Sequence, residues 1–353
     1  MVSLAEVLRR HWAQYEQQFG QRIPLCHRRA VQAILACRTP ALGGELYRCA
    51  HCGREHFVYH SCNHRACPRC GNAQASQWIA RQKRKLLPVP YWLITFTVPE
   101  GLRDWLRSHQ RPGYGALLKE SALTLQEVAS RPKYLGAELG FLSVLHTWGR
   151  QLQFHPHVHC VVPGGGLSED QLRWVQPKSP AFFLPQIVLA ARFRTRLKAA
   201  LLCHPEARDI PAEVWSQKWV VDVQPAGNGA GALAYLSAYV SRTALGSQRI
   251  LADDDGQITF QYKDSQQGQW RRLTLNAIEF IRRFLQHVLP QGFQRVRYYG
   301  WLSAAATVRW KRILALLERR VPESAPRPAA PQATCPHCGQ ILTWIAHLAR
   351  SPP

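Results

Sequence analysis

Apolar and polar positions along this chain change their period several times, and each change marks an element. Across residues 3–20 the apolar side chains Leu4, Val7, Leu8, Tyr15 and Phe19 recur near helical spacing. Ser3, with Glu6 three places on, has the spacing of a capping box, and Gly20 supplies a stop. Helical stretches are also predicted over 28–36, 76–87, 114–128, 186–202, 231–243 and 276–288. The run Tyr91-Trp92-Leu93-Ile94-Thr95-Phe96-Thr97-Val98 reads differently. Its β-branched and aromatic residues predict a buried strand. Further strands are expected at 142–148, 157–162, 218–223 and 258–262, the first two close enough to form a hairpin. Strands mixed with helices in this order predict an α+β fold around a central antiparallel sheet.

Breaks in the pattern suggest four parts. Pro88 and Pro90 close an N-terminal module of helices and cysteines, 1–88. A central domain, 89–300, carries the strands. A basic helical extension, 301–321, leads into a Pro/Ala-rich linker running from Pro322 to Ala333, and a short cysteine-bearing tail completes the part 322–353.

Charge narrows the range of partners. Lys and Arg number 45 against 22 Asp and Glu, a formal charge of +23 on 353 residues. Such an excess points to a polyanion, because each phosphate neutralised releases counterions. No uninterrupted apolar run of about 18 residues is present, so no membrane-spanning helix is expected. Nor is an export signal expected: Met1 to Glu6 leads into Arg9-Arg10-His11 without a long apolar stretch. The expected location is cytoplasmic, with the nucleic acid of the nucleoid.

Five of the 11 cysteines fall between Cys49 and Cys70. Cys49-Ala50-His51-Cys52-Gly53 and Cys67-Pro68-Arg69-Cys70-Gly71 are two CxxCG turns, each able to aim two thiolates at one ion. Their spacing predicts one tetrahedral four-thiolate zinc site in a ribbon-like module. In small zinc modules the metal contributes on the order of 10–16 kcal/mol, which could replace the large apolar side chains that 37–75 lacks. Cys37 and Cys62, with His56, His60 and His64 nearby, are candidates for a second zinc. A further pair, Cys335 and Cys338, resembles half a site, with Cys26, His27 or His347 as candidate complements.

The candidate chemistry lies in His155-Pro156-His157-Val158-His159. Residues two apart on a strand face the same way, so His157 and His159 can grip one divalent cation together. Across the expected hairpin, His146 is the first choice for a third ligand, ahead of His155 and Gln153. The turn Pro163-Gly164-Gly165-Gly166 offers a place where a nucleic-acid backbone could come close. Further along, Tyr235 and Tyr239 share one helical face after the flexible Gly227-Asn228-Gly229. Phenols, with pKa values of about 10, are weak nucleophiles at neutral pH, and a metal-polarised phosphate lowers the demand on them.

At these residues the chain resembles the HUH rolling-circle transposases of the insertion sequence 91 family, of the two-tyrosine type with an N-terminal zinc-binding domain. The likeness runs through Ser61–Cys70, Leu145–Gly149, His155–His159, the Tyr235/Tyr239 pair and Glu279–Pro290, with Gly292-Phe293 and Tyr299-Gly300. It implies an HUH-endonuclease palm carrying His157 and His159, with the tyrosine helix packed nearby. It also implies Mg²⁺ or Mn²⁺ at the histidines, zinc in the N-terminal module, and nicking of single-stranded DNA at the element's ends. A 5′-phosphotyrosine on Tyr235 or Tyr239 and strand transfer to a target would follow. Arg282, Arg283, Arg295 and Arg297 are the candidate phosphate contacts. Two alternatives use some of the same features: a plasmid relaxase or replication initiator, and a non-catalytic zinc-dependent DNA-binding protein.

Overall fold

The computed structural model describes residues 2–70, 72–241, 244–264, 267–319 and 333–351. Helices α1 (Leu4–Phe19) and α2 (Leu25–Ala36) precede strands β1 (Gly44–Cys49) and β2 (Glu55–Tyr59) and helix α3 (Asn72–Arg84). Next come β3 (Tyr91–Thr97), α4 (Arg103–Ser108), α5 (Gln110–Ala129), β4 (Gly140–Trp148) and β5 (Phe154–Pro163). The chain continues through β6 (Gly166–Leu167), β7 (Trp174–Val175), α6 (Gln186–Leu202), β8 (Val220–Pro225) and α7 (Ala230–Ser241). Last are β9 (Ile250–Asp254), β10 (Gln257–Lys263), β11 (Trp270–Asn276), α8 (Ala277–Leu285), β12 (Val296–Gly300), α9 (Thr307–Leu316) and β13 (Leu342–Leu348). No helix among the described residues is long and apolar enough to cross a membrane.

These elements form two compact units that do not follow chain order. One gathers the described residues of Met1–Ala73, Leu245–Val288 and Glu323–Pro353; the other holds Gln74–Ala244 and Leu289–Pro322. Residues 245–288 fall within the central domain expected from sequence, but they pack in the first unit. α8 lies on α1, and Asp253 takes Arg10 (3.1 Å) and His11 (3.0 Å) of α1. α1 starts where the sequence predicts: Ser3 Oγ accepts from the Glu6 N–H, and Glu6 accepts from the Ser3 N–H. The linker expected from Pro322 lies, up to residue 332, outside the described residues.

The second unit is built on a five-stranded antiparallel sheet in the order β12-β4-β5-β3-β8. Strand alternation divides its residues between two apolar layers. Trp92, Ile94, Phe96, Leu145, Val158 and Cys160 point to one face, against Leu117, Leu125 and Phe193 of α5 and α6. Tyr91, Leu142, Val144 and Val161 point to the other, against Ala232, Leu233 and Leu236 of α7. Burial on both faces leaves β4 and β5 covered along nearly their whole length. By the same alternation His146, His157 and His159 fall on the α7 face.

Helix α7 is held over the sheet by its entry turn. The Ala226 N–H donates to the Tyr91 carbonyl and the Tyr91 N–H to the Gly227 carbonyl, each at 2.7 Å. Gly229 has φ +79°, and a Cβ there would meet the Tyr91 ring at 2.7 Å. Gly229→Ala should therefore cost roughly 1–3 kcal/mol through strain and overpacking. Gly231→Ala is the control: it lies two residues on, inside α7, with nothing within 4 Å and should be neutral or stabilising. Thermal melts of the two variants test this. Equal melting temperatures would mean that Gly229 does not set the position of α7.

Candidate active site

The β4–β5 hairpin sets His146 directly opposite His157, and β3 sets Thr95 opposite His159. This register brings three imidazoles together. His157 Nε2 lies 2.8 Å from His146 Nδ1 and 3.1 Å from His159 Nε2. All three side chains are buried. His157 Nδ1 is 2.6 Å from the His155 carbonyl oxygen, which can only accept. The Nδ1 therefore carries the proton, and Nε2 turns its lone pair toward the other two rings. His159 Nδ1 is tied to Thr95 Oγ1 at 3.0 Å, which leaves its Nε2 for the cluster. These are the outer hydrogen bonds that orient metal-binding histidines.

Electrostatics keep His157 and His159 in their ligand form. Burial drives His157 well below the usual histidine range, and the neighbouring His159 adds to the shift. Burial likewise takes His159 down to about 4. Neutral imidazoles are what a cation needs. The spacing also fits: adjacent ligands on an octahedron with bonds of about 2.1 Å lie about 3.0 Å apart. His146, which the sequence ranks first, is the third member of the group. His155 is not in that group, and Gln153 has another contact. His155 supplies its carbonyl to His157, and Gln153 accepts from the Gln151 N–H in the turn between the strands.

Tyr235 completes the arrangement. Leu233 and Leu236 bury one side of α7, and Tyr235 comes off another, 46% exposed. Its ring meets His159 edge-on, with centroids 5.7 Å apart and planes at 85°. A buried imidazole cluster thus has a half-exposed phenol beside it. Tyr239 is one turn further along α7, where the side chains lie outside the described residues.

Two contributors escape a reading of the sequence. Thr95 orients His159 only because of strand register, and no local motif announces it. Arg103, at the start of α4, adds to burial in disfavouring protonation of His155 and His157. It is a cation near the cluster, paired with Glu100 at 3.5 Å.

The other candidates are placed as follows. Arg282 and Arg283 belong to the first unit, and both hold Glu279, whose carboxyl Arg282 chiefly draws down to about 2. Arg297 lies over the Phe293 ring at 5.6 Å, and the Arg295 carbonyl accepts from Leu145 in the strand that carries His146. The glycine turn after β5 is buried and serves the protein's own packing. The Gly164 N–H donates to the Pro90 carbonyl at 2.6 Å, and a Cβ on Gly165 would meet the Trp174 ring.

The cysteines regroup. Cys49 and Cys52 do not share a cluster with Cys67 and Cys70, contrary to the spacing. Cys67 and Cys70 gather with Cys37 and Cys62, the second-zinc candidates, while Cys49 and Cys52 gather with Cys335 and Cys338. The cause is the β1–β2 hairpin. Cys49 and Cys52 sit at its tip. Cys37 and Cys62 sit at its base, where the Arg38 N–H donates to His60. At about 3.3 Å per residue the strands keep tip and base well apart. Within the clusters, the Cys52 backbone N–H is the main cause holding the Cys49 thiol down to about 6. A hydrogen bond from Cys62 is the main cause holding Cys67 down to about 5.

Residues 140–309 match the family model described as "Putative transposase", and residues 7–98 match the "Transposase zinc-binding domain". A curated protein of Sinorhizobium fredii, "Putative transposase y4qJ", is 38% identical over 320 residues, covering 85% of this chain and 80% of that protein. The chain belongs to the insertion sequence 91 family of transposases. A second relative is the "Transposase for insertion sequence element IS801" of Pseudomonas savastanoi pv. phaseolicola. It is 29% identical over 300 residues, covering 77% of this chain and 69% of the relative. No solved structure matches. The transposase is a DNA-processing enzyme, and its N-terminal region is a zinc-binding domain.

Proposed function

We propose that this transposase nicks single-stranded DNA at the ends of its element and passes the cut strand to a target, with Tyr235 as the attacking group. The five-stranded sheet is then the palm of an HUH endonuclease. One observation carries this reading: a half-exposed phenol stands edge-on to a buried three-histidine cluster whose nitrogens are spaced for a cation. His146, His157 and His159 would hold that cation. An all-imidazole donor set suits Mn²⁺ better than Mg²⁺. Bound there, the ion would polarise the scissile phosphate and take up charge as it develops.

The protein's own groups do the rest. The His155 carbonyl and Thr95 fix the rings that present Nε2. The wall of α7 aims the phenol. In the step itself a bond forms between the Tyr235 oxygen and phosphorus, and the phenolic proton is lost to solvent. The bond from phosphorus to the 3′-oxygen breaks, and that oxygen gains a proton. The 5′-phosphate stays on the tyrosine, so its bond energy is kept and rejoining needs no nucleotide cofactor. Tyr239, one turn on, is the candidate for the second nucleophile. Arg103 joins Arg282, Arg283, Arg295 and Arg297 as a candidate phosphate contact.

A labelled single strand bearing an element end tests the reading. With Mn²⁺ it should be cut at one position, and one product should migrate with the protein. Chelation should stop the reaction. Equal cutting in the presence of a chelator, or of fully paired duplex, would contradict it.

A further inference from the structure

We infer that Cys49, Cys52, Cys335 and Cys338 hold a structural zinc ion of their own, and that this ion fastens the segment 333–351 to the N-terminal hairpin. Six of the eight cysteines in the two clusters lie within the region matched by the transposase zinc-binding domain, which stops at residue 98. Four of those six, Cys37, Cys62, Cys67 and Cys70, form a complete set. Cys49 and Cys52 are left over, and their complement comes from almost 300 residues away.

Three observations support the site. First, the sulfur spacing is that of ligands around one ion. Cys49 Sγ lies 3.4 Å from Cys338 Sγ, and Cys52 Sγ lies 3.7 Å from Cys335 Sγ. Four sulfurs at a Zn–S distance of about 2.3 Å on a tetrahedron stand about 3.8 Å apart. A disulfide would bring a pair to about 2.0 Å. Second, the two turns are the same turn. Cys49-Ala50-His51-Cys52-Gly53-Arg54 bonds Cys49 N–H to the Arg54 carbonyl and Gly53 N–H to the Cys49 carbonyl, both at 2.9 Å. Cys335-Pro336-His337-Cys338-Gly339-Gln340 repeats the pattern, from Cys335 N–H to Gln340 (2.7 Å) and from Gly339 N–H to Cys335 (2.8 Å). Gly53 and Gly339 have φ of +70° and +75°, the left-handed conformation that glycine tolerates. Two like turns facing each other are the form of a zinc ribbon.

Third, the backbone leading to each turn is joined to the other. β13 pairs with β1 along its length, ending with Leu342 opposite Cys49. Cys49, Cys335 and Leu342 form a small buried cluster of their own. So few apolar side chains bury little surface, and an ion is what could fix this contact. His56 Nε2, 3.4 Å from Cys335 Sγ, is placed to donate to a thiolate.

Zinc content of the purified full chain tests the inference. The wild type should hold two ions per chain. Cys335→Ser with Cys338→Ser should hold one, and 333–351 should become open to limited proteolysis. Cys37→Ser with Cys62→Ser removes the other ion and should leave that segment protected. Cys338→His keeps a ligand in place, so it should retain two metals and, loaded with Co²⁺, should show a shifted absorption spectrum. One zinc in the wild type would overturn the inference. So would two in the Cys335→Ser/Cys338→Ser protein, or a Co²⁺ spectrum that Cys338→His leaves unchanged. None of these readouts depends on DNA cutting.

Discussion

Tyr235→Phe should abolish most covalent capture of DNA while leaving the fold as it is. The change removes one oxygen from a ring that is 46% exposed, so its stability cost should stay within about 0.5 kcal/mol. The ring itself remains against His159, and the sheet-facing side of α7, through Ala232, Leu233 and Leu236, is untouched. The chemistry has no such reserve. Loss of a nucleophile that acts as part of a unit costs on the order of 10⁴–10⁶ in rate. Residual capture would then come from Tyr239, one turn along the same helix. The double variant Tyr235→Phe/Tyr239→Phe should form no adduct. Denaturing gels with labelled single strands read this directly. Wild-type adduct levels in the double variant would remove both phenols from the mechanism.

His157→Ala should have the second large effect, and on a different quantity. His157 is the middle ring, in reach of both His146 and His159. Without it two imidazoles remain, His146 and His159, and the cluster loses the ring that stands between them. Even loss of an outer hydrogen-bond partner costs about 10–100-fold in metal affinity. Losing the ligand itself should cost at least about 100-fold and reduce nicking in proportion. Calorimetric titration with Mn²⁺ gives the affinity. Thr95→Val should fall between wild type and His157→Ala, because it frees the His159 ring without deleting a donor. If His157→Ala bound Mn²⁺ as the wild type does, the cation would have to sit elsewhere.

The parts of this molecule that sequence reveals are those whose cause is local. Crowded β-branched and aromatic residues give away β3, and alternation gives away the shared face of His157 and His159. The short hairpin between β4 and β5 makes His146 the natural third ring. What stays hidden depends on pairings between distant segments. β12 is a short stretch of half-buried residues, and only β4 makes it a strand. Thr95 becomes an orienting group through its register with His159. The cysteine pairs are plain as pairs, yet their grouping depends on a hairpin that separates neighbours and a tail that returns from far away. The ion pairs of Glu279 with Arg282 and Arg283 are local and legible, since spacings of three and four are those of a helical face.

Identifying the residue that carries DNA after the reaction tests the central claim most directly. The protein is incubated with Mn²⁺ and a single strand bearing an element end, digested, and its nucleotide-linked peptide sequenced by mass spectrometry. The account predicts a 5′-phosphate linked to the Tyr235 oxygen. A nick made with no linked peptide, or a link to a residue outside α7, would contradict it.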